Sequence, residues 1–115
     1  MEEASNIIAA ILKGYAPLMA LITKVSPIIA SQQVDGDFVN YLLQEQGPFS
    51  KDGNYDYVLT ISSWSTSYDK TLKIADAVKS ALIAAENINF KYNGSQPQFS
   101  EEGIYYTTSN YSFKN

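Results

Sequence analysis

Apolar residues in the N-terminal segment recur at the spacing of one helix face. They are Ile7, Ile8, Ile11, Leu12, Tyr15, Leu18, Leu21 and Ile22. This spacing matches a helix period of about 3.6 residues. Gly14 and Pro17 interrupt it, and proline is tolerated in the first turn of a helix but disrupts a helix interior. The pattern therefore predicts two short helices, at about 5–13 and 17–23, with Ser5 as the N-cap of the first.

Alternating side chains in the middle of the chain predict two strands, at about 37–43 and 55–64. The stretch 24–36, which contains Pro27, is predicted to be irregular, and a loop at 44–54 separates the two strands. In the second strand, alternate residues are expected to share one face: Tyr57, Leu59 and Ile61. The residues between them are expected on the other face: Val58, Thr60, Ser62 and Trp64.

The clearest helix signal covers about 67–86. Its apolar stripe consists of Leu72, Ala75, Val78 and Leu82. Thr66 and Asp69 match the capping-box pattern loosely, because Asp stands where Glu is usual. We expect Leu72, Val78 and Leu82 to pack against the second strand, through Leu59 and Ile61.

The last third of the chain is predicted to be extended. Two stretches, at about 88–93 and 96–100, flank Asn93-Gly94, which is a strong hairpin signal, and a final strand follows at about 104–113. The element order predicts a single α+β domain over 1–115. An antiparallel sheet of four to five strands is packed against one long helix and a short N-terminal helical region.

Composition argues against enzymatic chemistry. The chain has no His and no Cys, its eight basic residues are all Lys, and it has nine Tyr. The usual proton shuttle, thiol nucleophile and planar phosphate clamp are therefore absent. Tyrosine instead favours contact surfaces, where it supplies rigid area with one polar tip. We predict a protein that binds other proteins, with no catalytic residues, no cofactor and no metal.

Several candidate chemical motifs are incomplete. The segment Asp52-Gly53-Asn54-Tyr55-Asp56 begins like a calcium loop, but Tyr57 and Ser63 stand where such a loop needs Gly and Glu. Two pairs of acids could act as paired carboxylates: Asp35 with Asp37, and Glu101 with Glu102. No other residues mark a cleft near them, and acids at turns are commonly solvated. Ser67-Tyr68-Asp69-Lys70 matches a Ser-x-x-Lys string, but its place at a helix start favours capping.

The charge pattern limits the partners. The formal net charge is −4, and the eight Lys are scattered along the chain, whereas nucleic-acid binding depends on clustered basic residues. No apolar run reaches the ~18–20 residues of a membrane span. Glu2 and Glu3 stand where a signal peptide has positive residues. We therefore expect no nucleic-acid or membrane partner, and a protein that is made and kept in a cytoplasm.

Five segments together carry a resemblance to a known family. They are Tyr15–Ile22, Lys24–Pro27, Asp37–Tyr41, Tyr57–Trp64 with the helix that follows it, and Tyr105–Phe113. These segments are similar to the helical start, the Pro-containing segment and the strands of the phage tail-completion (head–tail joining) protein family. The resemblance covers nearly the whole chain. The sequence departs from the family pattern in having no Arg and a long loop at 44–54.

The resemblance implies a non-enzymatic structural protein of a phage or prophage. It implies a homo-oligomeric ring, hexameric in form, at the tail end or head–tail junction, with other tail or neck proteins as partners. The expected locations are the host cytoplasm during assembly and then the virion. An acidic ring would let DNA pass without binding it. Two alternatives stay open: a small acidic soluble protein-binding module, of inhibitor or immunity type, and a small enzyme that uses carboxylates alone.

Phe49 is the candidate subunit contact. It lies in the loop 44–54 and has no periodic apolar neighbours in sequence. Loops of this length often carry function, so we expect this loop to be mobile in the free subunit and ordered by a partner. The opposite interpretation, in which Phe49 folds back onto its own domain, stays open.

Overall fold

The computed structural model describes residues 2–27, 37–46, 56–86, 88–99 and 103–114. The helices are α1 (Glu2–Lys13), α2 (Ala16–Met19) and α3 (Tyr68–Ala84). The strands are β1 (Lys24–Pro27), β2 (Phe38–Gln46), β3 (Asp56–Ser65), β4 (Lys91–Phe99) and β5 (Tyr105–Lys114). The strands form one sheet in the order β1-β2-β3-β5-β4.

The predicted α+β class is confirmed, with five strands in a mixed sheet. The pairs β2–β3, β3–β5 and β5–β4 are antiparallel, whereas β1 runs parallel to β2, with Val25 opposite Val39. The prediction that all of 24–36 is irregular is therefore wrong for β1. Pro27 ends this edge strand, a position where a missing backbone N–H can be tolerated.

The hairpin predicted at Asn93-Gly94 is wrong. Strand β4 continues through this dipeptide, and its register with β5 shifts between Tyr92 and Gly94. Gly94 has a φ of +117°, a conformation that glycine adopts without steric cost. The Asn-Gly pair therefore forms a β-bulge, in which one extra residue is inserted into a continuous strand.

Both predicted helix caps differ from the observed helix starts. Helix α1 begins at Glu2, so Ser5 lies inside the helix, where its hydroxyl is 3.3 Å from the Tyr41 hydroxyl. Helix α3 is capped by Ser67, whose side chain accepts a hydrogen bond of 3.4 Å from the backbone N–H of Lys70. The cap is thus one residue beyond Thr66. Helix α2 carries Pro17 in its first turn, as the sequence indicates.

The core lies between the helices and one face of the sheet. Its β3 residues are those predicted from the alternation, and Leu59 and Ile61 are fully buried together with Val78 and Leu82. Leu72 is only partly buried and lies outside the core cluster, so its assignment to the core is wrong. At 3.6 residues per turn, Leu72 lies roughly 120° around the helix from Val78. The buried stripe of α3 consists of Thr71, Ile74, Ala75, Val78, Ala81 and Leu82.

Polar side chains are buried where α3 begins. The hydroxyls of Thr71 and Thr107 lie 3.1 Å apart, and Thr71 also donates to the Tyr68 carbonyl over 2.7 Å. Within the described part of the chain, the buried hydroxyl of Ser63 has no hydrogen-bond partner. Elsewhere in the core, burial raises the pKa of the Tyr111 hydroxyl, so its phenol stays neutral.

Leu82→Ala tests the core directly. The side chain is fully buried, so its truncation should lower the free energy of unfolding by ~2–5 kcal/mol. Leu72→Ala is the matched control on the same helix and should cause a clearly smaller loss. Urea denaturation of both variants measures the difference. Equal losses of unfolding free energy would show that α3 buries Leu72 as fully as Leu82, which contradicts the described orientation of the helix.

Candidate protein interface

One face of the sheet is covered by helices, whereas the described helices leave the other face uncovered. We call this second surface the open face. On β2 and β3 it carries Phe38, Asn40, Leu42, Asp56, Val58, Thr60, Ser62 and Trp64. On β5 and β4 it carries Tyr106, Thr108, Asn110, Ser112, Lys114, Lys91, Gln96 and Gln98.

A row of stacked aromatic rings crosses one end of the open face. The Phe38 and Trp64 rings are 5.6 Å apart and nearly parallel, and the Trp64 and Tyr106 rings are 4.4 Å apart. The polar tips are bonded as well. The Trp64 indole donates to the Asn40 side chain over 3.2 Å, and the Tyr106 hydroxyl donates to Gln98 over 2.8 Å. Cross-strand aromatic pairs of this kind give rigid, amphipathic contact area.

The middle of the open face is uncharged and shallow. Thr60 donates to the Asn110 side chain over 3.0 Å. A depression of about 220 Å³ beside Trp64 is lined by Leu42 and Ser62 among others, and Leu42 is 44% exposed. A central area without charged side chains is typical of protein interfaces, whose cores are depleted of charged residues.

The charges of the open face collect at its other end. Among the described residues of this face, they are Asp56, Lys91 and Lys114, which border a cleft of about 560 Å³. Asp56 lies opposite Lys114 in the register of β3 and β5. The open face therefore has an aromatic end, an uncharged middle and a charged end.

A second aromatic cluster lies on the helix side of the sheet, near the aromatic end. The Tyr68 and Tyr105 rings are 5.9 Å apart, edge to face, and the Phe99 and Tyr105 rings are 5.2 Å apart. Phe99 is 61% exposed. Aromatic side chains thus approach the surface on both sides of one end of the sheet.

The carboxylate considered for catalysis is held in an ion pair. Asp37 forms a salt bridge with Lys70, which joins the start of β2 to the first turn of α3. Burial acts to raise the pKa of Asp37, but hydrogen bonds from Lys70 and Ser65 and the charge of Lys70 outweigh it, and the pKa lies below its usual value. A carboxylate that is ionised and paired is a poor general acid. Its proposed companion, Asp35, lies outside the described residues.

The structure also describes the Ser-x-x-Lys string that the sequence offered as a candidate catalytic motif. Ser67 serves as a helix cap, so its oxygen and the Lys70 amine have separate structural partners. Within the described residues, no three His, Cys, Asp or Glu side chains come close enough to hold a metal ion. Glu101, Glu102 and the segment 52–55 lie outside the described residues.

None of the described helices has the length and apolarity needed to span a membrane.

Phe49, the predicted subunit contact, lies outside the described residues, so its role stays a prediction. The open face was not predicted as a site. Trp64 lies on the non-core face of its strand, as the alternation predicts. The alternation does not predict its contacts with Phe38 and Tyr106, because only the strand order β2-β3-β5 brings these three rings together.

Asp37→Asn should destabilise the fold in a pH-dependent way. Because folding lowers the pKa of Asp37, ionisation stabilises the fold fully above the ordinary Asp pKa of about 3.9, and this contribution is lost as the pH falls through the lower folded value. We expect a loss of ~0.2–1 kcal/mol at neutral pH, typical of a surface ion pair, and convergence with the unmodified protein at low pH. Thermal melts by circular dichroism measure this. Glu86→Gln controls for the loss of one exposed acid, and a pH-independent loss in Asp37→Asn would contradict the ion-pair account.

Comparison with known proteins gives a clear result for the fold. No family model matches the sequence, and no curated protein matches it. A chain from the virion of the native gene transfer agent (GTA) particle superposes with a TM-score of 0.77 at 17% identity, over 93% of this chain and 90% of that chain. Bacteriophage SPP1 gp17 superposes with a TM-score of 0.59 at 18% identity, over 96% of this chain and 87% of that chain. The chain therefore has the fold of these two proteins, which is consistent with its resemblance to the phage tail-completion family.

Proposed function

We propose that this protein is a non-enzymatic structural component of a phage or prophage particle. In this proposal, copies of the chain form a ring at the tail end or head–tail junction and contact other tail or neck proteins. The observation that carries the proposal is the match to a chain of the GTA virion over 93% of this chain and 90% of that one. A match of this extent involves the whole domain.

The open face supports a role in assembly. Its aromatic row is fixed by stacking and by hydrogen bonds from Trp64 and Tyr106, so little side-chain freedom is lost when a partner covers it. Its central area carries no charge among the described residues, which keeps the desolvation cost of an interface low. A ring also multiplies the net charge of −4 per chain, and a channel of negative potential favours DNA passage over DNA binding.

A second candidate is a small acidic protein-binding module of inhibitor or immunity type. The open face favours it as well, because the same uncharged surface fits a different protein as readily as a second copy. The two candidates differ in what the surface covers. A module would bind its target as a monomer, whereas a ring protein is found as several copies in one particle.

Deletion of the gene from an inducible prophage tests the proposal. We expect filled heads and unjoined or abnormally long tails, with DNA replication unchanged, because the protein acts at the last steps of particle assembly. Electron microscopy of the lysate and quantitative PCR of phage DNA measure these outcomes. Restoring the gene on a plasmid is the control. Normal infectious particles from the deletion strain would contradict the proposal and favour the binding module.

Phe49 remains the proposed subunit contact. The predicted loop 44–54 is too long at its start, because β2 continues to Gln46, and Phe49 lies between that strand and β3. Phe49→Ser should leave the melting temperature of the free chain unchanged and weaken assembly, because it removes apolar contact area from the interface alone. Phe49→Tyr keeps most of that area and is the matched control. Circular dichroism measures folding, and particle yield in the complemented deletion strain measures assembly. Unfolding of the Phe49→Ser monomer would place Phe49 in the core and contradict the contact role.

A further inference from the structure

We infer that copies of this chain stack head to tail, with the open face of one copy covering a groove between α1 and α3 of the next. This arrangement rests on the proposed self-assembly and specifies the two surfaces that meet. A ring needs two different, complementary surfaces on each copy. The open face and the helical layer lie on opposite sides of the sheet, so each copy can contact one neighbour on either side.

The groove is lined mainly by small and apolar side chains. Two adjoining depressions, of about 300 and 330 Å³, lie between the helices. Both are lined by Ala10 and Ile11 of α1 and by Ala85 just after α3, and one of them also by Ala84. On the outer side of α3, Ile83 is 64% exposed. Small side chains allow a second sheet to approach closely, and Ile83 supplies an apolar projection toward it.

The charges of the two surfaces match when copies keep the same direction along the ring axis. Strand β3 begins, β5 ends and α3 ends at the same end of the domain, so the groove and the charged end of the open face lie at that end. There the helical side carries Glu86, which follows α3 and lines the groove beside Ile7 of α1. The open face carries Asp56 on the central strand β3, and Lys91 and Lys114 farther toward the β4 edge.

Helix α1 lies toward the β1 side of the sheet, and α3 lies over β3, β5 and β4. Stacking therefore brings Lys91 and Lys114 of the open face toward Glu86 of the next copy. Complementarity of this kind fixes the register of an interface more than it adds affinity.

The open face has the area that a stable interface needs. Strands β2, β3, β5 and β4 have 9, 10, 10 and 9 residues. With a rise of ~3.3 Å per residue and a spacing of ~4.8 Å between strands, they cover roughly 600 Å². Stable protein interfaces bury roughly 600–1,000 Å² on each partner. One copy of the chain is thus a sufficient partner for the whole face.

Cysteine crosslinking tests this arrangement cleanly, because the chain has no cysteine of its own. Ser112→Cys places a thiol on the open face, and Ala84→Cys places one in the groove. Both changes nearly preserve side-chain size. Each variant complements the deletion strain, and particles are treated with a short bis-maleimide and examined by immunoblot.

The double variant Ser112→Cys with Ala84→Cys should give a ladder in steps of one 12.7 kDa chain. Each single variant should give no crosslinked product. An equal mixture of the two single variants should give dimers at most. The control pairs Ser112→Cys with Thr66→Cys, which lies in the exposed β3–α3 turn outside both surfaces, and should crosslink at least tenfold less.

Two results would overturn the inference without touching the proposed function. A dimer formed by Ser112→Cys alone would show that open faces pair with each other about a two-fold axis. Absence of any product from variants that restore normal particles would show that the subunits meet elsewhere. Failure of the proposed function has a different signature, since the deletion strain itself would then produce normal particles.

Discussion

The structure depends on the two-residue alternation of β3, the central strand of the sheet. Its odd-numbered side chains from Tyr57 to Ser65 are buried beneath the helices, and its even-numbered ones lie on the open face. Strand β3 is bonded to β2 on one side and β5 on the other. A shift of one residue would move the buried set to solvent. The burial of Leu59 and Ile61 therefore fixes the core, and the same register places Thr60 and Trp64 on the open face.

Elements set by local signals could be predicted from the sequence. The alternation of β3, the long helix α3, the two-part helical start and the final strand all follow from hydrophobic periods within a few residues. The elements that were missed depend on distant partners. Strand β1 has only four residues, and its pairing with β2 makes it a strand. The bulge at Gly94 becomes visible only in its register with β5.

The candidate interface depends even more on residues that are distant in sequence, so the sequence alone could not predict it. Phe38, Trp64 and Tyr106 are far apart in sequence, and each is an ordinary aromatic residue of a strand. Their stacking requires both the order of the strands and their register, which the hydrophobic pattern does not contain. The error at Leu72 has a related cause, because a rotation of the helix by one residue exchanges Leu72 for Thr71 at the core. Thr71 is buried because Thr107 lies next to its hydroxyl, a partner that no local pattern predicts.

The edges of the sheet are less suited to contact with another chain than the open face is. An exposed edge strand can pair with another chain through its free backbone groups. Strand β4 carries Pro97, which lacks a backbone N–H, and the bulge at Gly94 bends it. Strand β1 is short and ends at Pro27. Both edges are thus poor templates, whereas the open face combines a rigid aromatic row with hydrogen-bonded polar side chains. Those polar groups keep the face compatible with water in the free chain, and the rings supply rigid apolar area of the kind that protein interfaces bury.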